Sequence, residues 1–519
     1  MPSASAPTSS AAAGGAALLR PPIFSMGLAT YRVPMSLHRL NRDKVCGSVL
    51  AAHPHLVSDG CCIIYVRGGT SSTRNDTDHE PLFRQESYFH YLVGVKEPDF
   101  GVLIRVGADG TASTTLLCPR LPEAYEWFMG RRRTCEEYAA MYGTEDARFC
   151  DEAGDVLGDM CGRLGAGSTL LLLEGTNSDS GKTYPAPTDA ASALALALPG
   201  LALEKSVLFP VLSECRSIKS EPERRLLRHV AELTSSAHVA VMRAVQPGMA
   251  EWQLEALFRH HAHHNYGCRL LGYTPICACG PSGAVLHYGH AGEANTRTLT
   301  GDDMCLLDMG AEYHCYGADI TCSYPAGGTF SRDQRTLYSA VLAAQTAVYD
   351  HLRPGACWVR AHEIAETQII AGLLDMGVVV LDGEEDAAAL VEKRLGAVFM
   401  PHGLGHLIGI DTHDVSVSKS YGIDFFNLQK FLVPCSPSIV SFGLRHPRLA
   451  DMASAGPRGP TLPVSARCAR PEKWKNTWCS PSSRGATSSD TASTKAWRIP
   501  PWRDISWRTA RAHSWGPAG

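Results

Sequence analysis

Residues 304–325 read MCLLDMGAEYHCYGADITCSYP. Met304 to Gly310 has the apolar character of a strand and carries one carboxylate, Asp308; eleven residues later Asp319 sits in Gly317-Ala318-Asp319-Ile320-Thr321-Cys322. An Asp inside an apolar strand is costly unless it is paired or bound to a cation. Two of them in facing strands of one hairpin suggest a shared metal ion. A pair of strand-end Asp bonded to backbone amides fits the same letters, and this stretch alone does not choose between the two.

The surroundings place the hairpin in a mixed fold. From Leu270 onward the pattern is strand-rich, with long helices expected over about 331–352 and 359–374. Upstream, Ser220-Glu221-Pro222-Glu223 has the form of a capping box with Pro in the first turn. Leu226, Leu227, Val230, Leu233, Ala237 and Val241 then recur at helical spacing until Gln246-Pro247-Gly248, and a further helix is expected over about 251–264. Before residue 215, short apolar runs at 62–66, 102–106, 114–117 and 170–173 read as strands of a smaller α/β domain. At 519 residues with 45% apolar content the chain can fill two cores. The expected division is a tail over 1–29, a first domain over 30–215, a second over 216–415, and a separate tail over 416–519.

Histidines gather after the second Asp. His402-Gly403-Leu404-Gly405-His406 is followed by Gly409-Ile410-Asp411-Thr412-His413, and glycines there allow the tight bends that turn imidazoles toward one cavity. His287-Tyr288-Gly289-His290 precedes the first Asp. Two other motifs are set aside. Gly175 to Gly181, ahead of Lys182-Thr183, has five residues between its glycines where a phosphate loop needs four, and Pro185 and Pro187 would break the helix such a loop requires. His260, His261, His263 and His264 lie on one expected helix with no carboxylate or Cys among them, and read as a solvated face.

A formal net charge of -4 gives no global basic field, which argues against nucleic acid or an anionic membrane as main partner. The 18 cysteines contain no C-x-x-C pair, which fits reduced thiols in the cytoplasm. The longest apolar run, residues 190–198, falls short of the ~20 residues of a membrane helix. The Ala/Ser/Gly/Pro-rich first 22 residues contain no acidic residue and read as a floppy tail, with an organellar transit peptide as the weaker alternative.

The order His287, Asp308, Asp319, His406, His413, with its spacing, resembles that of the prolidase (Xaa-Pro dipeptidase) and methionine-aminopeptidase-like metallopeptidases. Residues 307–313, 318–323 and 396–406, with Arg84-Gln85-Glu86-Ser87 and Asn177-Ser178-Asp179-Ser180-Gly181, are similar to prolidase nearly residue for residue. The likeness covers about 30–415. It implies an aminopeptidase P-like N-terminal α/β domain followed by a pita-bread metallopeptidase domain, an α/β (α+β) chain left incomplete at its C-terminal end. It further implies two divalent ions, usually Mn2+, held by Asp308, by Asp319 as the bridging ligand, and by His406. His287 and His413 would act on the substrate, and Tyr273 would line its pocket. A hydroxide bridging the two ions would attack the carbonyl before proline in an Xaa-Pro dipeptide, and relatives are commonly homodimers. An aminopeptidase P-like enzyme acting on longer peptides is the nearest rival, and an inactive pseudo-peptidase or binding module of the same fold is the other.

The resemblance ends near Val415. The family pattern needs two more ligands, a Glu in a Val-Glu-Pro-Gly-like strand and a Glu in an Arg-Ile-Glu-like strand, and a substrate-binding Arg. Glu472 is the only glutamate in residues 416–519, in Arg470-Pro471-Glu472-Lys473-Trp474. That segment carries a net charge of +10, leaving -14 for the rest, and six of the nine Trp, without amphipathic period. It reads as a wrong-frame or mis-spliced translation; as a genuine tail it would leave three of five protein ligands.

Overall fold

A computed structural model describes residues 22–415, apart from 59–60, 163–166, 178–179, 186–197, 199, 290–294 and 381–385. The expected tail over 416–519, most of the one over 1–29, most of the apolar run 190–198, and His290 lie outside the described residues.

After helix α1 (Ser36–Ala52) the first half builds a six-stranded sheet. Its strands are β1 (Cys62–Arg67), β2 (Gly101–Val106), β3 (Ala112–Cys118), β4 (Asp146–Phe149), β5 (Thr169–Leu172) and β6 (Ala202–Glu204), in the order β6-β5-β1-β2-β3-β4. Pairing is parallel for β6-β5, β5-β1 and β3-β4, and antiparallel for β1-β2 and β2-β3. β1 is buried on both sides, as the side-chain period of two requires for a covered sheet. Ile63 and Tyr65 join one apolar cluster with Leu103, Leu117, Leu170 and Leu172. Cys62, Ile64 and Val66 face the other, with Leu37, Val45 and Val49 of α1. The four expected strands are present. β4 and β6 escape the sequence pattern because Asp146–Phe149 and Ala202–Glu204 are short edge strands with few apolar residues.

Gly175–Thr176 pairs antiparallel with Thr183–Tyr184. Helix α2 (Ser87–Val93) is capped by the Glu86 carboxylate, which accepts the Tyr88 and Phe89 amides, and helix α3 (Leu208–Ser217) closes the first half.

Helix α4 (Glu221–Ala244) starts where the capping box expects, with one difference. Glu223 Oε2 accepts both the Ser220 N–H (2.7 Å) and the Ser220 hydroxyl (2.8 Å). Leu226, Val230, Leu233, Ala237 and Val241 are buried and Leu227 packs partly buried against them. Helix α5 (Glu251–Tyr266) carries the four-histidine run; His260 and His264 stack and His261 Nε2 lies 2.7 Å from Ser236 Oγ. A three-stranded antiparallel sheet then follows, β7 (Ile276–Cys279), β8 (Met304–Asp308) and β11 (Thr321–Pro325), with β8 central. Between β8 and β11 projects a small finger, β9 (Glu312–Tyr313) paired with β10 (Tyr316–Gly317). Helices α6 (Arg332–His351) and α7 (Trp358–Asp375) stand close to their expected bounds. Among the described residues no helix is long and apolar enough to cross a membrane.

Candidate metal centre

Asp308 is the last residue of β8, in register with Thr321. Asp319 is not in the facing strand, as the hairpin reading expects, but two residues ahead of β11. The finger accounts for this: residues 309–320 must leave and rejoin the sheet, so the second carboxylate rides on the returning segment. Gly310 makes that crossing possible, since a Cβ there would run into the Ala318 carbonyl.

The Tyr273 hydroxyl ties the carboxylates together, donating to Asp308 Oδ1 and, at 3.0 Å, to Asp319 Oδ1. Burial, helped by the neighbouring Asp319, pushes Asp308 up to about 6 although Tyr273 pulls the other way. Burial also works against charge on Asp319, but hydrogen bonds from His406 and Tyr273 hold it below the ordinary carboxylate value. Two close carboxylates that diverge in this way share one positive charge between them, a proton or a metal ion. Burial and the two carboxylates push the Tyr273 phenol itself upward, so it remains a donor.

His406 Nε2 lies 3.0 Å from Asp319 Oδ2, and its Nδ1 lies 2.9 Å from the Leu407 carbonyl. With Nδ1 donating to that carbonyl, a neutral ring would offer Nε2 to a metal ion in place of its hydrogen bond to Asp319. The His413 ring stacks obliquely on His406 with centroids 4.1 Å apart. One ligand atom each from Asp319, His406 and His413 falls within 4.8 Å of the others. Carboxylate oxygens with imidazole form a donor set that suits a divalent ion. His287 is exposed and stands outside that group, on the chain that follows the short helical turn Gly280–Ala284. His402 is exposed, with Nδ1 2.9 Å from the Gly403 carbonyl, and is not part of the group either.

The segment bearing His406 and His413 is irregular, and ion pairs hold it in place. Arg216 of α3, 2% exposed, reaches both Asp411 Oδ2 and Asp414 Oδ1 at 2.7 Å. Lys219 Nζ lies 2.6 Å from Asp414 Oδ2, and Ser87 Oγ donates to Asp411 Oδ1 at 2.6 Å. Burial opposes the Arg216 charge, but Asp414 and Asp411 more than offset it and push the guanidinium above its ordinary value. Backbone bonds from Asp414 N to Leu407 O (3.0 Å) and from Gly317 N to Gly409 O (3.0 Å) close the loop on itself and on the finger. Sequence reading singles out Asp308, Asp319 and His406, and the family resemblance adds Tyr273 as a pocket residue, but neither reveals this clamp. Asp411 and Asp414 flank His413 visibly, whereas their partner lies 195 and 198 residues away.

Residues 225–430 match the model of metallopeptidase family M24, and residues 38–166 match the aminopeptidase P N-terminal domain. The Xaa-Pro dipeptidase of Homo sapiens is 41% identical over 395 residues, 76% of each chain. A probable Xaa-Pro aminopeptidase of Verticillium alfalfae is 34% identical over 362 residues, 69% of this chain and 72% of that one. Among solved structures, the aminopeptidase PepP of Pseudomonas aeruginosa superimposes with a TM-score of 0.63 at 27% identity, covering 76% of this chain and 84% of that one.

Proposed function

The chain belongs to metallopeptidase family M24, and from that premise we propose that it hydrolyses Xaa-Pro dipeptides using divalent ions, Mn2+ foremost, held by Asp308, Asp319 and His406. The observation that carries the reading is the hydrogen-bonded set Asp308, Tyr273, Asp319 and His406 in a chain 41% identical to human Xaa-Pro dipeptidase. Divalent ions bound there would polarise the scissile carbonyl and lower the pKa of the attacking water.

The protein's own residues supply the rest. Asp319, held below the ordinary carboxylate value beside His406, would be the shared carboxylate, and Asp308 would be the second oxygen ligand. His406 presents Nε2 because Nδ1 is engaged by a carbonyl. His413, exposed beside it, would transfer the proton that the prolyl nitrogen gains as the C–N bond breaks, and His287 would contact the substrate. A cytosolic setting, with the cysteines reduced, and a homodimeric assembly belong to the same reading.

The missing glutamates favour a second reading. Only three of the five ligands of the family pattern have a match, and Glu472 is the only Glu in residues 416–519, so a metal-poor binding module of the same fold is the rival. Metal analysis and Gly-Pro hydrolysis in Mn2+ decide between them. About two Mn2+ per chain with turnover, both lost in Asp319→Asn, uphold the peptidase; a folded chain with neither metal nor turnover overturns it. Faster cleavage of a tripeptide with proline second would reassign it to the aminopeptidase class.

A further inference from the structure

A second histidine cluster lies away from the candidate centre and plays no part in that reading. His38 from α1, His90 from α2 and His314 from the tip of the finger bring one ring nitrogen each to within 4.8 Å of the others. His38 and His90 have no exposed surface and His314 has 7%. Three elements far apart in sequence therefore contribute one imidazole each to a single buried cluster.

The tip that delivers His314 is strained. His314 (φ 50°) and Cys315 (φ 60°) both occupy the left-handed region, where a tight hairpin ordinarily has Asn or Gly. His314 also stacks on Phe24, with centroids 4.3 Å apart.

Hydrogen bonding fixes how two of the rings present themselves. His38 Nδ1 lies 3.1 Å from the Tyr91 carbonyl, and His90 Nε2 lies 3.0 Å from the His314 carbonyl. A carbonyl can only accept, so those two nitrogens carry the protons, and His38 Nε2 and His90 Nδ1 carry lone pairs. His38 Nε2 is 2.9 Å from His314 Nε2. His90 Nδ1 and His314 Nδ1 are buried without a hydrogen-bond partner among the described residues. Ring N–H donation to a backbone carbonyl is a feature of metal-ligating histidine, and for His38 it leaves the opposite nitrogen facing the His314 ring. Burial keeps all three rings neutral, as ligands must be, aided by His90 on the other two and by Lys96 and Arg216 on His90, which is lowered to about 4.

We propose that His38, His90 and His314 form a structural site for a transition-metal ion of the zinc class, which pins the finger between Asp308 and Asp319 to the N-terminal half of the chain. An all-imidazole donor set favours zinc, copper or nickel, whereas the oxygen-rich candidate centre suits Mn2+, so the two sites select different ions. Arg42, Lys96 and Arg216, the cations that act on these rings, oppose a further positive charge and moderate the affinity. Full burial means that the ion enters as the chain folds.

The test uses the full chain carrying Asp308→Asn and Asp319→Asn, which strips the candidate centre of its carboxylates, expressed in zinc-supplemented medium. Metal analysis should find about one zinc per chain, with nitrogen neighbours at about 2.0 Å by X-ray absorption. Adding His90→Gln, or His314→Asn, which tolerates the left-handed backbone, should lower the zinc at least about tenfold. Far-UV circular dichroism on each variant separates loss of the site from loss of the fold. A folded parent without zinc overturns the proposal, as does zinc retained at parental level in both folded histidine variants; the cluster is then a hydrogen-bonded imidazole packing motif. Activity enters none of these readouts, so the result stands apart from the peptidase assignment.

Discussion

Asp414→Asn isolates the clamp that positions His413. Asn fills nearly the same space but cannot balance charge. Arg216, with a side chain 1% exposed, would keep only Asp411, whose own side chain is 40% exposed. Lys219 would lose the carboxylate now 2.6 Å away. Arg216 Nε and Nη1 have no hydrogen-bond partner among the described residues, so beyond the Tyr88 ring, 4.4 Å from the guanidinium, no hydrogen bond absorbs the loss. Leaving a buried cation short of its partner costs about 3–5 kcal/mol. The assay is urea unfolding in EDTA, so that metal binding does not stabilise one variant more than the other. Arg216→Met should cost less, because Asp414 retains Lys219, and the double variant should show a coupling of about 1–3 kcal/mol. Asp414→Asn within about 1 kcal/mol of the parent, or single effects that add to within about 0.5 kcal/mol, would refute the clamp.

Three further outcomes are expected. His413→Ala should spare metal content and lower kcat on Gly-Pro by about 10²–10⁴, as loss of a proton-transfer group does; a metal-free variant would make His413 a ligand instead. Gly310→Ala should depress both metal content and the melting temperature, since its Cβ meets the Ala318 carbonyl and pushes apart the segments bearing Asp308 and Asp319; parental values for both would contradict the close crossing. Burial, only partly opposed by Arg84 3.0 Å away, raises Glu312 from 4.5 to about 7. Folding therefore favours its protonated form: the contribution is complete below about 4.5, shrinks as pH rises and is gone above about 7, about 3–4 kcal/mol in all. Glu86, raised to about 7, and Asp308, raised to about 6, titrate in the same window, while the lowered His38, His90 and His314 act in the opposite sense, so Glu312→Gln, which removes one raised carboxyl, should make the change in stability between pH 5 and 7.5 in EDTA less negative by about 2–3 kcal/mol; an unchanged profile would show that Glu312 is ionised throughout.

The helices of the second half are legible because they are amphipathic and punctuated. Leu226, Val230, Leu233, Ala237 and Val241 recur at helical spacing between a Ser-x-x-Glu start and a Pro-Gly stop, and α4 runs from Glu221 to Ala244. The central strands of the first sheet show because burial on both faces demands unbroken apolar runs. The edge strands and the finger leave no such trace, since two- to four-residue strands carry too few side chains to mark a face. Asp319 shows the limit within the site: its chemistry could be read from the letters, but its position ahead of β11 depends on an excursion of the backbone.

Residue type and local spacing thus determine the carboxylates, the imidazoles and most of the elements carrying them, because ligand chemistry and side-chain periodicity are properties of short segments. Tertiary structure alone determines which groups meet across long stretches of chain. Arg216 with Asp411 and Asp414, Tyr273 between Asp308 and Asp319, and His38 and His90 with His314 at separations of 276 and 224 residues are all of this kind. Such contacts form only once the apolar core has brought distant elements together, and nothing in the sequence near either partner reports the other.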